Sequence, residues 1–169
     1  FVLLFAWIAL SFMSSIAGFV MLLTGKKGEL GIDPTTPLPA IHSRTAMLLP
    51  TYNEDPHRVL ARLRAIYESV DATGCGAQFD WFVLSDTTDP TIWVTEEKCF
   101  LMLRQEIGGA ATLFYRHRPE NTARKSGNIE EWVRRFGADY ECMLILDADS
   151  LMTGDCIVRL AGAMEAHPK

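Results

Sequence analysis

From Phe1 to Leu23 the chain carries no charged side chain, and this stretch, FVLLFAWIALSFMSSIAGFVMLL, limits its folding more than any other. As a helix it is about 34 Å long, against a hydrocarbon thickness of roughly 30 Å. Ser14, Ser15, Ala17 and Gly18 offer a small-residue face to a neighbouring helix. Lys26 and Lys27 follow directly and place the next residues on the cytoplasmic side. A signal peptide and a buried core helix are the alternatives. A signal peptide opens with basic residues and is shorter, and the cleavage-like triplet Ser15-Ile16-Ala17 is weak. Residues 1–23 therefore read as a transmembrane helix with membrane lipid as its partner. The chain begins at Phe1 inside apolar sequence, and so it reads as a fragment or processed piece.

The rest has the composition of a globular domain. Of 169 residues, 49% are hydrophobic and 22% charged, which excludes disorder as the default. Cys75, Cys99, Cys142 and Cys156 show no Cys-x-x-Cys spacing, as expected of reduced thiols in a cytoplasmic domain. A net charge of −5 argues against nucleic acid as a partner, because backbone binding needs a basic surface.

Residues 24–43 are rich in Gly and Pro and read as a linker. From residue 44 onward, strand-like runs at 45–49, 79–84, 112–116 and 140–146 alternate with helix-like stretches at about 55–70, 89–107, 126–136 and 153–166. This is the pattern of right-handed βαβ units, an α/β fold with a mostly parallel sheet that binds ligands at its carboxyl edge. In the first helix Val59, Leu60, Leu63, Ile66 and Tyr67 form the apolar stripe, and Arg58, Arg62, Arg64 and Glu68 read as a solvated face.

Each strand ends in a different polar group. After the first, Pro50 stops sheet pairing, Tyr52 offers a ring for stacking on a base, and Asn53 or Asp55 caps the helix. After the second, Asp89-Pro90 starts a helix, and Asp86 lies inside the turn as an acceptor for a nucleobase or ribose. After the third, Arg118, Arg124 and Lys125 favour an anion at a helix start, and His117 reads as structural. After the fourth come Asp147 and Asp149, two carboxylates on one face of an extended chain and suited to one divalent cation. Together they outline a site for a nucleoside diphosphate held with a metal.

Leu49-Pro50-Thr51-Tyr52-Asn53-Glu54, the Asp86 turn, Arg124-Lys125-Ser126-Gly127-Asn128-Ile129 and Leu146-Asp147-Ala148-Asp149 resemble, in that order, the processive family 2 glycosyltransferases of the cellulose synthase type. Details such as Thr51-Tyr52-Asn53-Glu54-Asp55-Pro56 and Leu84-Ser85-Asp86-Thr87-Thr88-Asp89-Pro90 look closest to the glucans biosynthesis glucosyltransferase H family. Where many relatives carry Asp-Asp-Gly, this chain has Ser85-Asp86-Thr87. The resemblance implies a GT-A fold, truncated, over residues 44–169. It implies Tyr52 and Glu54 near the base, Asp86 on the uridine, Lys125 on the diphosphate, and Asp147 and Asp149 holding UDP with Mg²⁺ or Mn²⁺. It further implies UDP-glucose as donor, a growing glucan of the osmoregulated periplasmic type as acceptor, and a bacterial inner membrane location with the domain in the cytoplasm. The family's general base and Gln-x-x-Arg-Trp motif are expected beyond Lys169, so no residue here is assigned a catalytic role and the fragment is not expected to complete transfer alone. Two alternatives remain open. One is a haloacid dehalogenase-type phosphatase with Asp147 as nucleophile, although that loop normally follows a domain's first strand. The other is a non-catalytic membrane-tethered binding module.

Overall fold

The computed structural model describes residues 1–24, 32–108 and 112–167. They divide into two compact units, residues 1–36 and 37–169. The first contains helix α1, Val2–Leu23. No residue of α1 is buried and its mean hydropathy is 2.0, long and apolar enough to cross a membrane. Two of its three hydroxyls bond within the helix: Ser11 Oγ donates to Trp7 O at 3.1 Å and Ser15 Oγ to Ser11 O at 2.9 Å. Such bonding lets a polar residue sit in an apolar helix without an unpaired donor. The flanking Lys26 and Lys27 lie outside the described residues.

The second unit runs β1 (Thr45–Thr51), α2 (Pro56–Asp71), β2 (Phe79–Ser85), α3 (Pro90–Glu106), β3 (Leu113–His117), α4 (Arg124–Phe136), β4 (Cys142–Ile145) and α5 (Gly154–Ala166). Every strand pairing is parallel, in the order β3-β2-β1-β4. The chain builds outward from β1 to β3, then returns across the sheet to place β4 on the other side of β1. Parallel crossovers are right-handed as a rule, and reversing the direction of travel then moves the connecting helix to the opposite face. Alternate strand residues record this. Met47, Leu49, Phe79, Trp81 and Val83 enter the larger core with residues of α2, α3 and α5. Ala46, Leu48, Phe82 and Leu84 face Trp132 of α4. The strand order reverses between β1 and β4, and the crevice at such a reversal is where open α/β sheets bind ligands.

One expectation is corrected. Pro50 does not end the first strand, since pairing continues as Pro50↔Leu84 and Thr51↔Ser85. Leu48 accepts from Leu146 on the β4 side, so Pro50, two residues on, turns its missing N–H to that side, beyond the last β1–β4 pair. A proline costs no ladder bond there. The stretch read as a linker, 24–43, is only partly described. Residues 25–31 lie outside the described residues, whereas Pro37 onward counts with the second unit, and Ile41 is buried in its core.

Candidate functional site

The four strand ends open into one cleft of about 850 Å³. The six residues that the family resemblance implies for binding line it: Tyr52, Glu54, Asp86, Lys125, Asp147 and Asp149.

The loop after β1 is tied by its own polar groups. Asn53 adopts φ 55°, a left-handed conformation that Asn tolerates, and Glu54 accepts the Tyr52 backbone N–H. Asp55 caps α2, accepting from His57 N at 3.0 Å. Asn53 instead crosses to the neighbouring loop, where its Oδ1 accepts from Thr88 N at 3.1 Å and Asp89 N at 3.2 Å. Of the two residues considered as caps for α2, only Asp55 is one. Asp89 caps α3, as expected, and hydrogen bonds from the Thr91 hydroxyl and then its N–H lower the Asp89 carboxyl from its ordinary range. Tyr52 is left half exposed at the cleft.

Beneath this rim sits Glu96, a buried carboxylate of α3 that the sequence did not single out. It accepts from the Thr51 hydroxyl at 2.5 Å and the Ser85 hydroxyl at 2.6 Å, joining the ends of β1 and β2. Burial, followed by the nearby Glu96 charge, pushes the Tyr115 phenol well up from its ordinary value.

Asp86 is only 3% exposed and both its oxygens are taken by Arg118, at 2.8 Å each. This corrects the sequence reading of Arg118 as part of a basic anion-binding cluster. Arg118 turns inward to neutralise Asp86, while Arg124 and Lys125 remain in the cleft. A carboxylate has about four lone-pair sites, so Asp86 keeps capacity for a further donor. His117 is structural, stacked on Trp93 with ring centroids 5.1 Å apart and Nε2 2.9 Å from Thr87 O.

The turn into α4 is tight. Ala123 and Arg124 have φ of 56° and 52°, and a Cβ on Gly127 would come within 2.2 Å of Thr122 O. Only glycine fits that approach. Asn128, fully buried, donates to Leu84 O at 2.9 Å and accepts from Arg116, which locks the start of α4 to β2. Lys125 then reaches Asp147 as an ion pair across the cleft.

Asp147-Ala148-Asp149 follow β4, with Ser150 N donating to Asp147 O at 2.9 Å in a turn. Among the described residues no cluster of three or more His, Cys, Asp or Glu is placed to hold a metal. Two hard carboxylate donors in an open cleft still fit Mg²⁺ or Mn²⁺, which bind through one or two carboxylates plus substrate phosphates and water. The Lys125 ammonium against Asp147 shows that this carboxylate attracts a cation.

Arg62 and Asn121 also line the cleft. Arg62 is not on a solvated face, as the sequence reading had it, for it donates to Ala148 O at 3.2 Å. Its position was a usable signal, since residues 59 and 66, one helical turn either side, are both buried. Asn121 Oδ1 is buried without a partner.

No protein-family model matches the chain. It is 66% identical, over 99% of its length, to glucans biosynthesis glucosyltransferase H of Bradyrhizobium diazoefficiens. The chain matches a segment of glucosyltransferase H along its whole length. Proteins of the same description from Rhodopseudomonas palustris and Xanthomonas campestris are 62% and 58% identical over 99% of it. The chain spans 22% to 26% of the length of these glucosyltransferase H relatives. Among solved structures, a mannosyltransferase from Pyrobaculum calidifontis in complex with GDP-Man and Mn²⁺ matches 95% of this chain and 44% of its own. The TM-score is 0.59 at 22% identity, a likeness of fold. The sheet and its helices are thus a Rossmann-like glycosyltransferase fold, as the glucosyltransferase H resemblance implied.

Proposed function

We propose that the cleft is the donor site of a membrane-bound family 2 glucosyltransferase, holding UDP-glucose with a divalent cation for transfer to a growing β-glucan of the osmoregulated periplasmic type. The observation that carries this is the convergence of Tyr52, Asp86, Lys125, Asp147 and Asp149, from four strand ends, on one cleft at the strand-order reversal. High identity to glucosyltransferase H supports the glucosyl donor and the glucan acceptor. The GDP-Man and Mn²⁺ held by the mannosyltransferase support a metal-assisted nucleotide-sugar site.

In this reading Tyr52 stacks on the uracil, with Glu54 holding the turn that carries it. Asp86, oriented by Arg118, accepts from the uridine. Lys125 gives up its pair with Asp147 and meets the diphosphate as a point charge. Asp147 and Asp149 are the residues that hold the metal, which supplies neutralisation of the negative charge developing on the leaving diphosphate. We assign no base for the acceptor hydroxyl to this cleft. Helix α1 spans the inner membrane and the α/β unit is cytoplasmic, where nucleotide sugars are made available. No observation favours the phosphatase alternative, and the Asp147 loop follows an edge strand of the described sheet.

The test is glucosyl transfer by membranes containing the full-length protein, supplied with labelled UDP-glucose. Polymer should form with Mg²⁺ or Mn²⁺, stop with chelator, and be lost in Asp149→Ala. Transfer unaffected by chelator would overturn the metal-assisted reading.

A further inference from the structure

We infer that Arg62 is a positioning residue for the Asp147-Ala148-Asp149 loop, and that α2 is the platform on which the metal-binding carboxylates are set. Arg62 donates to the carbonyl of Ala148, the residue between the two carboxylates. Two helical turns further along α2, the Ser69 hydroxyl accepts the N–H of Gly154 at 2.8 Å. Residues seven apart lie on one helix face, so a single stripe of α2 grips both ends of the stretch from 148 to 154. The second grip is close: a Cβ on Gly154 would stand 2.0 Å from Ser69 O. The loop between these grips follows a strand whose ladder to β1 ends at Leu48↔Ile145, so sheet pairing does not hold it.

The chemistry of Arg62 suits the task. A guanidinium has five N–H donors in a rigid fork, and a carbonyl flanked by two carboxylates is a strong place for one of them. With that bond made, Asp147 and Asp149 are presented to the cleft as a fixed pair. Without it the carbonyl loses its partner, and closing the pair around a cation must also restrain the loop. Groups that orient metal ligands without touching the metal typically contribute about 10-fold or more in metal affinity.

This inference rests on the donor-site reading, and the test separates the two. In the full-length protein in detergent, UDP binding is titrated against Mn²⁺ for wild type, Arg62→Ala and Arg62→Lys. Arg62→Ala should raise the Mn²⁺ concentration at half-maximal UDP binding about 10-fold. Arg62→Lys, which keeps one donor and the charge, should fall between. In metal-free protein, Arg62→Ala should also quicken hydrogen exchange of the amides from 147 to 151 and spare the α2 core. An unchanged Mn²⁺ midpoint, read in Arg62→Lys should Arg62→Ala not fold, overturns the role of Arg62 alone. Wild-type protein that binds no UDP with any divalent cation overturns both readings.

Discussion

The Asp86–Arg118 pair is the clearest case of a single residue meaning more in the fold than in the sequence. Two parallel hydrogen bonds of 2.8 Å join groups 32 residues apart, both nearly out of water. Removing one partner from a buried pair leaves an uncompensated charge, at a cost of about 3–5 kcal/mol. Arg118→Ala should therefore lower the thermal midpoint of the protein strongly. The double variant Arg118→Met with Asp86→Leu should recover much of that loss while still failing to bind UDP, a split readable by thermal denaturation beside nucleotide binding. Neither partner could be matched to the other from sequence, where Arg118 stood with the basic residues that follow it. That Asp147, Asp149, Lys125 and Tyr52 line one cleft was legible because each stands at a strand end or at the helix start that follows one. Glu96 was not, because its value lies in which distant hydroxyls it meets, and Arg62 had a signal in its helical position but none for the distant carbonyl it meets.

At the scale of elements, the strands and helices follow hydrophobic periodicity and caps closely, and the differences fall at their ends. Asp89-Pro90 opened α3 as capping chemistry predicts. The extension of β1 through Pro50 was hidden because a proline's cost depends on which neighbour its nitrogen faces, a property of strand order. The approach to β1 is pinned in a similar non-local way, by Glu165 near the end of α5. Hydrogen bonds from the backbone N–H groups of His42 and then Ser43 hold its carboxyl below the ordinary range. A lowered folded-state value means the stabilisation is present above the unfolded carboxyl range, about 4.3, and is lost as pH falls through the folded one. Glu165→Gln should accordingly lower stability at neutral pH and leave it little changed in acid, so that the fall in stability between the two is shallower, measured by urea denaturation at a series of pH values.

At the scale of the whole molecule, an apolar helix precedes an α/β unit, and the proposed donor site requires that unit on the cytoplasmic side. The composition of α1 made it legible, since apolar residues all round a helix leave it no polar face for water. Orientation can be read from Cys156, an exposed thiol of the α/β unit. In a variant of the full-length protein retaining only this cysteine, an impermeant maleimide should label Cys156 after lysis of spheroplasts and spare it while they are intact. Labelling of intact cells would place the domain on the other side and remove it from its donor.

The central claim is that Asp147 and Asp149 make nucleotide-sugar binding depend on a divalent cation. Calorimetric titration of UDP-glucose into the full-length protein, with Mn²⁺ and with chelator, tests it most directly when run beside Asp149→Ala. The account predicts saturable binding with Mn²⁺, weakened strongly by chelator, and a variant whose weak binding no longer responds to metal. Equal binding by wild type and Asp149→Ala in the presence of Mn²⁺ would contradict it.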